Sequence, residues 1–271
     1  MQNGGISLLK IEQIWKVFNE GTPDEKVALD HIDLHLQAGD FVTVIGSNGA
    51  GKSTMLNMIS GALTPDAGDI YIAGNNVTKL KEHERAQYIG RVFQDPMAGT
   101  APSMTIEENL AIAYSRNRRR RLRLGVTKER REYFKTSLET LGLNLENRMN
   151  TLVGMLSGGE RQALSLLMAT FTNPNILLLD EHTAALDPSR AASITDITKT
   201  LVEKDQLTTV MVTHNMQQAL DLGNRLIMMD KGQIILEVGE EEKKTLTIPK
   251  LMEEFQKIRG EQLVNDAALL S

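Results

Sequence analysis

The sequence predicts an α/β fold, and three observations carry that expectation. Apolar, β-branched runs alternate with stretches of helical period along most of the chain, the pattern of strands wound together with helices. A glycine-rich loop joins one such run, Phe41-Val42-Thr43-Val44-Ile45, to the helix-like stretch Met55-Leu56-Asn57-Met58-Ile59. A later run, Ile176-Leu177-Leu178-Leu179, is apolar at every position, as a strand covered on both faces must be.

In chain order, the apolar patterning predicts strands over residues 7–13, 32–37, 41–45, 69–72 and 89–93. Between Gln94 and Phe171 the period turns mainly helical, with helices over 106–114, 128–141 and 158–171. This stretch reads as a helical sub-domain, residues 95–171, inserted into the α/β core. Strands follow over 176–179, 208–212, 225–229 and 233–237. One domain is expected over residues 6–243, and then a short tail, 244–271, with a helix over 246–258. There is no internal repeat and no low-complexity linker.

A chain of 271 residues that is 41% hydrophobic can furnish the core of one large α/β domain. A net charge of −5 argues against a general nucleic-acid binder. With no cysteine, disulfides and thiolate metal sites are excluded. The start, Met1-Gln2-Asn3-Gly4-Gly5, has neither a basic leader nor an apolar core of a signal peptide. No run of about 18 apolar residues occurs, so work at a membrane would need spans from other chains.

The glycine-rich loop is Gly46, Ser47, Asn48, Gly49, Ala50, Gly51, Lys52, Ser53 and Thr54, which fits the phosphate-binding pattern G-x-x-x-x-G-K-[ST]. Between a strand and a helix, such a loop turns successive N–H groups toward phosphate at the positive end of the helix. Lys52 is then expected to reach the β- and γ-phosphates and the Ser53 hydroxyl to ligate Mg²⁺. Asp180 and Glu181 follow the apolar strand, at the sheet edge where ligands collect. Asp180 is expected in the Mg²⁺ shell, and Glu181 as the base that polarises the attacking water. His214, after a second buried run, falls on the same edge and can orient Glu181 or donate to phosphate. Gln94 offers an uncharged oxygen to the metal. A second glycine pair, Ser157-Gly158-Gly159-Glu160, stands at another helix start.

With these motifs in this order, the chain resembles the ATP-binding cassette (ABC) ATPases from Leu8 to about Glu240. The loop at Gly46 matches the Walker A motif, Gln94 the Q-loop, and Leu156-Ser157-Gly158-Gly159-Glu160 the signature. Residues 176–181 match Walker B, Ala184-Ala185-Leu186-Asp187 the D-loop, and His214 the switch histidine. The resemblance implies a P-loop NTPase domain with a RecA-like core, an antiparallel β sub-domain and an inserted helical sub-domain. It implies ATP and Mg²⁺ as ligands, with Phe18 rather than Trp15 stacking on adenine. Ser157, Gly158 and Gly159 would cap the γ-phosphate held by a second copy, so that two chains pair head to tail around two ATP, with Asp187 at the same seam. Two departures stand out. Family members commonly carry Gln where this chain has Glu160 and Pro where it has His182; the latter could titrate near neutrality.

The same resemblance implies an energy-coupling subunit on the cytoplasmic face of the membrane, driving separate transmembrane permease subunits. Residues 95–104, read as a helical segment rich in small and turn residues, would receive the permease. The run Arg118-Arg119-Arg120-Arg121, with Arg116 and Arg123, is either a solvated helix end or a contact for anionic lipid. Residues 94–103 and 180–188 look like a bacterial uptake branch that works with substrate-binding lipoproteins and imports aromatic amino acids, tryptophan in particular. The ATPase of a lipid or drug exporter and a soluble, non-transport ABC ATPase remain as alternatives.

Overall fold

Side-chain alternation along the strands decides the layering. The computed structural model describes residues 7–116 and 126–269. In β2 (Lys26–Leu36), Ile32, Leu34 and Leu36 are buried while Asp33 and His35 face water, the period of a sheet with one wet face. This strand pairs antiparallel with β1 (Leu9–Phe18), which pairs with β4 (Ala67–Ile72) and through it with β5 (Asn75–Asn76). Both β1 and β2 outrun the sequence expectation. Pairings such as Lys16↔Leu29 and Phe18↔Lys26 carry their ladder past shifts in register, which apolar patterning cannot reveal.

The second sheet has the order β10-β9-β3-β8-β7-β6. Its strands are β3 (Phe41–Gly46), β6 (Ile89–Val92), β7 (Ile176–Asp180), β8 (Thr208–Val212), β9 (Arg225–Asp230) and β10 (Gln233–Val238). All neighbours run parallel except the hairpin of β9 and β10. Ile176 and Leu178 face a core shared with the antiparallel sheet and with α1 (Lys52–Ser60). Leu177 and Leu179 face a second core, built with α3 (Ile106–Tyr114), α4 (Lys128–Glu139), α5 (Gly158–Thr170) and α6 (Pro188–Asp205). The unbroken apolar run of β7 is the imprint of these two cores.

Between the layers, α2 (Glu82–Arg85) supplies a buried guanidinium. Arg85 donates to the Met58 and Ile59 carbonyls at the end of α1, at 2.5 and 3.0 Å, and to the Thr78 carbonyl at 2.8 Å. A cation there meets the carbonyl end of the helix that begins at the glycine loop. Burial lowers its pKa to about 10.

The expected helices at 106, 128 and 158 are present, but residues 95–104 form turns rather than helix. Helix α6 is an element that apolar period alone did not reveal. Its start is nevertheless written in the sequence: Asp187 accepts from the Arg190 amide as N-cap, and Pro188 occupies the first turn. Of the arginine run, Arg116 donates to the Ile89 carbonyl at 3.2 Å; Arg118 to Arg121 and Arg123 lie outside the described residues.

A third core gathers at the β10 end of the sheet, where α7 (Met216–Asp221), α8 (Glu240–Lys243) and α9 (Ile248–Leu269) pack. Leu251 is fully buried there with Ile45 and Met228, and Leu246 and Phe255 pack alongside. The Lys243 ammonium turns inward and donates to the carbonyls of Leu222, Gly223 and Arg225. Among the described residues, no helix is long and apolar enough to cross a membrane.

Candidate active site

The glycine loop follows β3 and is shaped by two close approaches of backbone. Gly46 has φ 151°, and a Cβ on it would stand 2.2 Å from the Met229 carbonyl oxygen of β9. Gly51 has φ 102°, and its Cβ would stand 2.5 Å from the Ala28 carbonyl oxygen of β2. A side chain at either position would force the strands apart. The Ser47 hydroxyl donates to Asp230 at 2.8 Å, and the Gly232 amide to the Ala50 carbonyl at 3.0 Å, so the loop is tied to the β9–β10 turn.

Lys52 folds back over its own loop and donates to the carbonyls of Gly46 and Ser47 at 2.7 and 3.0 Å. Burial lowers its pKa, while Glu181 and Asp180 oppose that shift. An anion entering the loop must therefore draw the ammonium from two carbonyls, a trade that a charge-assisted bond favours.

The loop forms the floor of a groove of about 190 Å³. Asn48, Gly49, Ala50, Gly51, Lys52, Ser53 and Thr54 all line it. Phe18 closes one end from β1; Glu181 and His214 enter from the strand ends of β7 and β8. Four separate stretches of chain thus meet in one cleft. Lys26 and Ala28 of β2 also line it. Sequence reasoning passed over both; the only signal for Lys26 is the cross-strand pairing that puts it opposite Phe18. Trp15 instead meets His31, with ring centroids 4.8 Å apart.

Glu181 and His214 form the polar centre of the groove. His214 Nε2 lies 2.6 Å from Glu181 Oε1, with the carboxylate mostly buried and the imidazole half open. Glu181 sits in the left-handed region at φ 46°, a conformation that costs a side-chain-bearing residue about 1–2 kcal/mol. Its amide donates to the Val212 carbonyl of β8 at 3.0 Å, which fixes that turn. Behind the pair, buried Gln218 joins three segments. Its Oε1 accepts from the Thr213 hydroxyl at 2.8 Å, and its Nε2 donates to Thr183 and Thr195 at 3.2 and 2.9 Å. The loops bearing Glu181 and His214 are held in register by this network.

Other expected site residues lie off the groove wall. Asp180 Oδ2 is 3.4 Å from Arg91 Nη2, and Arg91 also donates to Asn57 and Ser60 of α1. Gln94 is exposed and does not line the groove. Ser157 caps α5, and Gly158 and Gly159 lie against Leu186 and Arg190 at the start of α6. Asp187 is half exposed beside them. One chain therefore does not bring its own signature residues to its own glycine loop.

The two departures have local explanations. Glu160 completes a capping box by accepting from the Ser157 amide at 2.8 Å, and meets Arg148 at 2.5 Å. Burial pushes its pKa up, but the Ser157 and Arg148 contacts outweigh burial and hold it below the usual range. His182 is fully buried, its Nε2 2.9 Å from the Thr198 hydroxyl, which donates to the Ile194 carbonyl. Burial lowers the His182 pKa to about 4, well below neutrality.

Comparison with known proteins agrees with this architecture. Residues 29–184 match the family described as ABC transporter. A tyrosine transport ATP-binding protein of Clostridioides difficile is 40% identical over 249 residues, 92% of this chain and 99% of the relative. An energy-coupling factor transporter ATP-binding protein of Clostridium perfringens is 32% identical, over 90% of this chain and 84% of its own. Among solved structures, a dimeric post-hydrolysis ATP-binding cassette bound to ADP and Pi superposes with a TM-score of 0.72. It is 31% identical and covers 85% of this chain and 98% of its own.

Proposed function

Since the chain belongs to the ABC transporter family as an ATP-binding, ATP-hydrolysing subunit, we propose that it drives a separate permease importing aromatic amino acids, with Glu181 as catalytic base. The observation that carries this reading is the meeting of Glu181 and His214, 2.6 Å apart, over the glycine loop in one groove. The loop's N–H groups and Lys52 bind the phosphates, and Phe18 stacks on the adenine. Glu181 accepts a proton from the attacking water, and His214 holds that carboxylate in place.

Ser53, Asp180 and Gln94 offer only oxygen donors, the chemistry that suits Mg²⁺. With so few protein donors, water and the oxygens of the nucleotide would complete such a shell. Bound there, the ion would neutralise charge on the β- and γ-phosphates.

Because Ser157, Gly158 and Gly159 lie off the groove, we assign them to the nucleotide of a second copy, with Asp187 at the seam. The assembled pair would sit at the cytoplasmic face of the membrane, held by permease subunits, with a substrate-binding lipoprotein delivering cargo. The cargo assignment is supported by the tyrosine transport relative, which is matched over nearly its whole length.

Glu181→Gln is expected to keep ATP affinity and lower phosphate release by about two to four orders of magnitude, the range for a lost general base. Full steady-state hydrolysis by that variant would overturn the catalytic assignment. Co-purification of a multi-span protein from detergent, followed by calorimetry of its binding protein with tyrosine and tryptophan, tests the transport and cargo readings.

A further inference from the structure

The groove holds a cation that the glycine-loop motif does not contain. Lys26 opens β2, and its partner across the ladder is Phe18. Its Nζ stands 3.4 Å from the point a Cβ on Gly49 would occupy, so the ammonium lies against the loop itself. Gly49 has φ 79° and belongs to the loop that lines the groove, the kind of loop whose amides collect anions.

The other basic side chains in the groove are engaged. Lys52 is bonded to two loop carbonyls, and His214 touches Glu181. Neighbouring Lys16, behind Phe18, is drawn to Asp66 at 2.8 Å and to the Phe18 ring at 5.6 Å. The Lys26 ammonium has no hydrogen-bond, ion-pair or ring partner among the described residues, although Lys26 lines the groove. A flexible ammonium without a partner, placed beside amides that collect anions, is completed by a phosphate.

Resting on the nucleotide reading above, we infer that Lys26 is a phosphate-binding residue, closing over the polyphosphate of ATP between Phe18 and the glycine loop. Because it is exposed, its attraction is screened by salt. Its removal should weaken binding modestly rather than abolish it.

Titration of the purified chain with a fluorescent ATP analogue, at low and at high salt, tests this. Lys26→Met is expected to raise Kd about 3- to 10-fold at low salt, with the difference shrinking at high salt. Lys26→Glu should lose more, and Lys26→Arg should stay within about twofold of the parent. A Lys26→Met Kd within twofold of the parent at low salt would overturn the inference, as would a loss that salt does not change. In the same titration Lys52→Ala separates the two readings. If Lys52→Ala also binds as the parent does, the nucleotide reading of the groove fails; if only Lys26→Met does, this inference alone fails.

Discussion

At the scale of single residues, the chain places two histidines near one carboxylate and gives them opposite environments. His214 is half open and touches Glu181, whereas His182 is sealed against Thr198 with a pKa of about 4. The folded protein thus binds a proton at His182 less readily than the unfolded chain, whose histidine titrates near 6.5. Its neutral form favours folding fully above pH 6.5, and that contribution is lost as pH falls from 6.5 through 4, by roughly 3 kcal/mol in all. A His182→Asn variant, which keeps a donor for Thr198 without titrating, should lose less stability over that window. Denaturant unfolding at pH 7 and pH 4.5 checks this, and equal losses in parent and variant would contradict it. The sequence showed His182 beside Glu181 but not its direction, because residues adjacent on a turn can face opposite sides of a sheet.

At the scale of elements, legibility followed how local the cause was. The glycine loop, the strand ends that precede Glu181 and His214, and the helices at 106, 128 and 158 were written in runs of contiguous residues. The extension of β1 to Phe18, and with it the placing of Lys26, depends on pairing between strands and left no apolar trace. Helix α6 was legible through Asp187 and Pro188, yet its sparse buried positions, Ile194, Thr198, Leu201 and Val202, blur the period. The start of α5 shows how an unusual residue can serve an ordinary end. Glu160 accepts from the Ser157 amide, which Gln can also do, and adds a partly exposed ion pair with Arg148. Glu160→Gln should therefore cost about 1 kcal/mol or less, with ATP turnover within about twofold of the parent. Thermal melting together with phosphate release measures both, and loss of activity at unchanged stability would give Glu160 a role in the chemistry.

At the scale of the whole molecule, the residues proposed to hold nucleotide are divided between two places. The groove gathers Phe18, Lys52, Glu181 and His214, while Ser157, Gly158 and Gly159 stand with α6 outside it. Such a division makes sense if a second copy completes each site, so ATP should favour association. Glu181→Gln with ATP is expected to run as a dimer in small-angle scattering and to return to monomer when nucleotide is removed; a monomer at every ATP concentration would refute the pairing. The tail carries a different lesson. Leu246, Leu251 and Phe255 roof Ile45, the residue that leads directly into Gly46. A shortened protein ending at 243 would strip that roof and should lose on the order of 5 kcal/mol, read as a lower urea midpoint. Anyone trimming this chain to its smallest recognisable unit would be unshingling the house above the hearth.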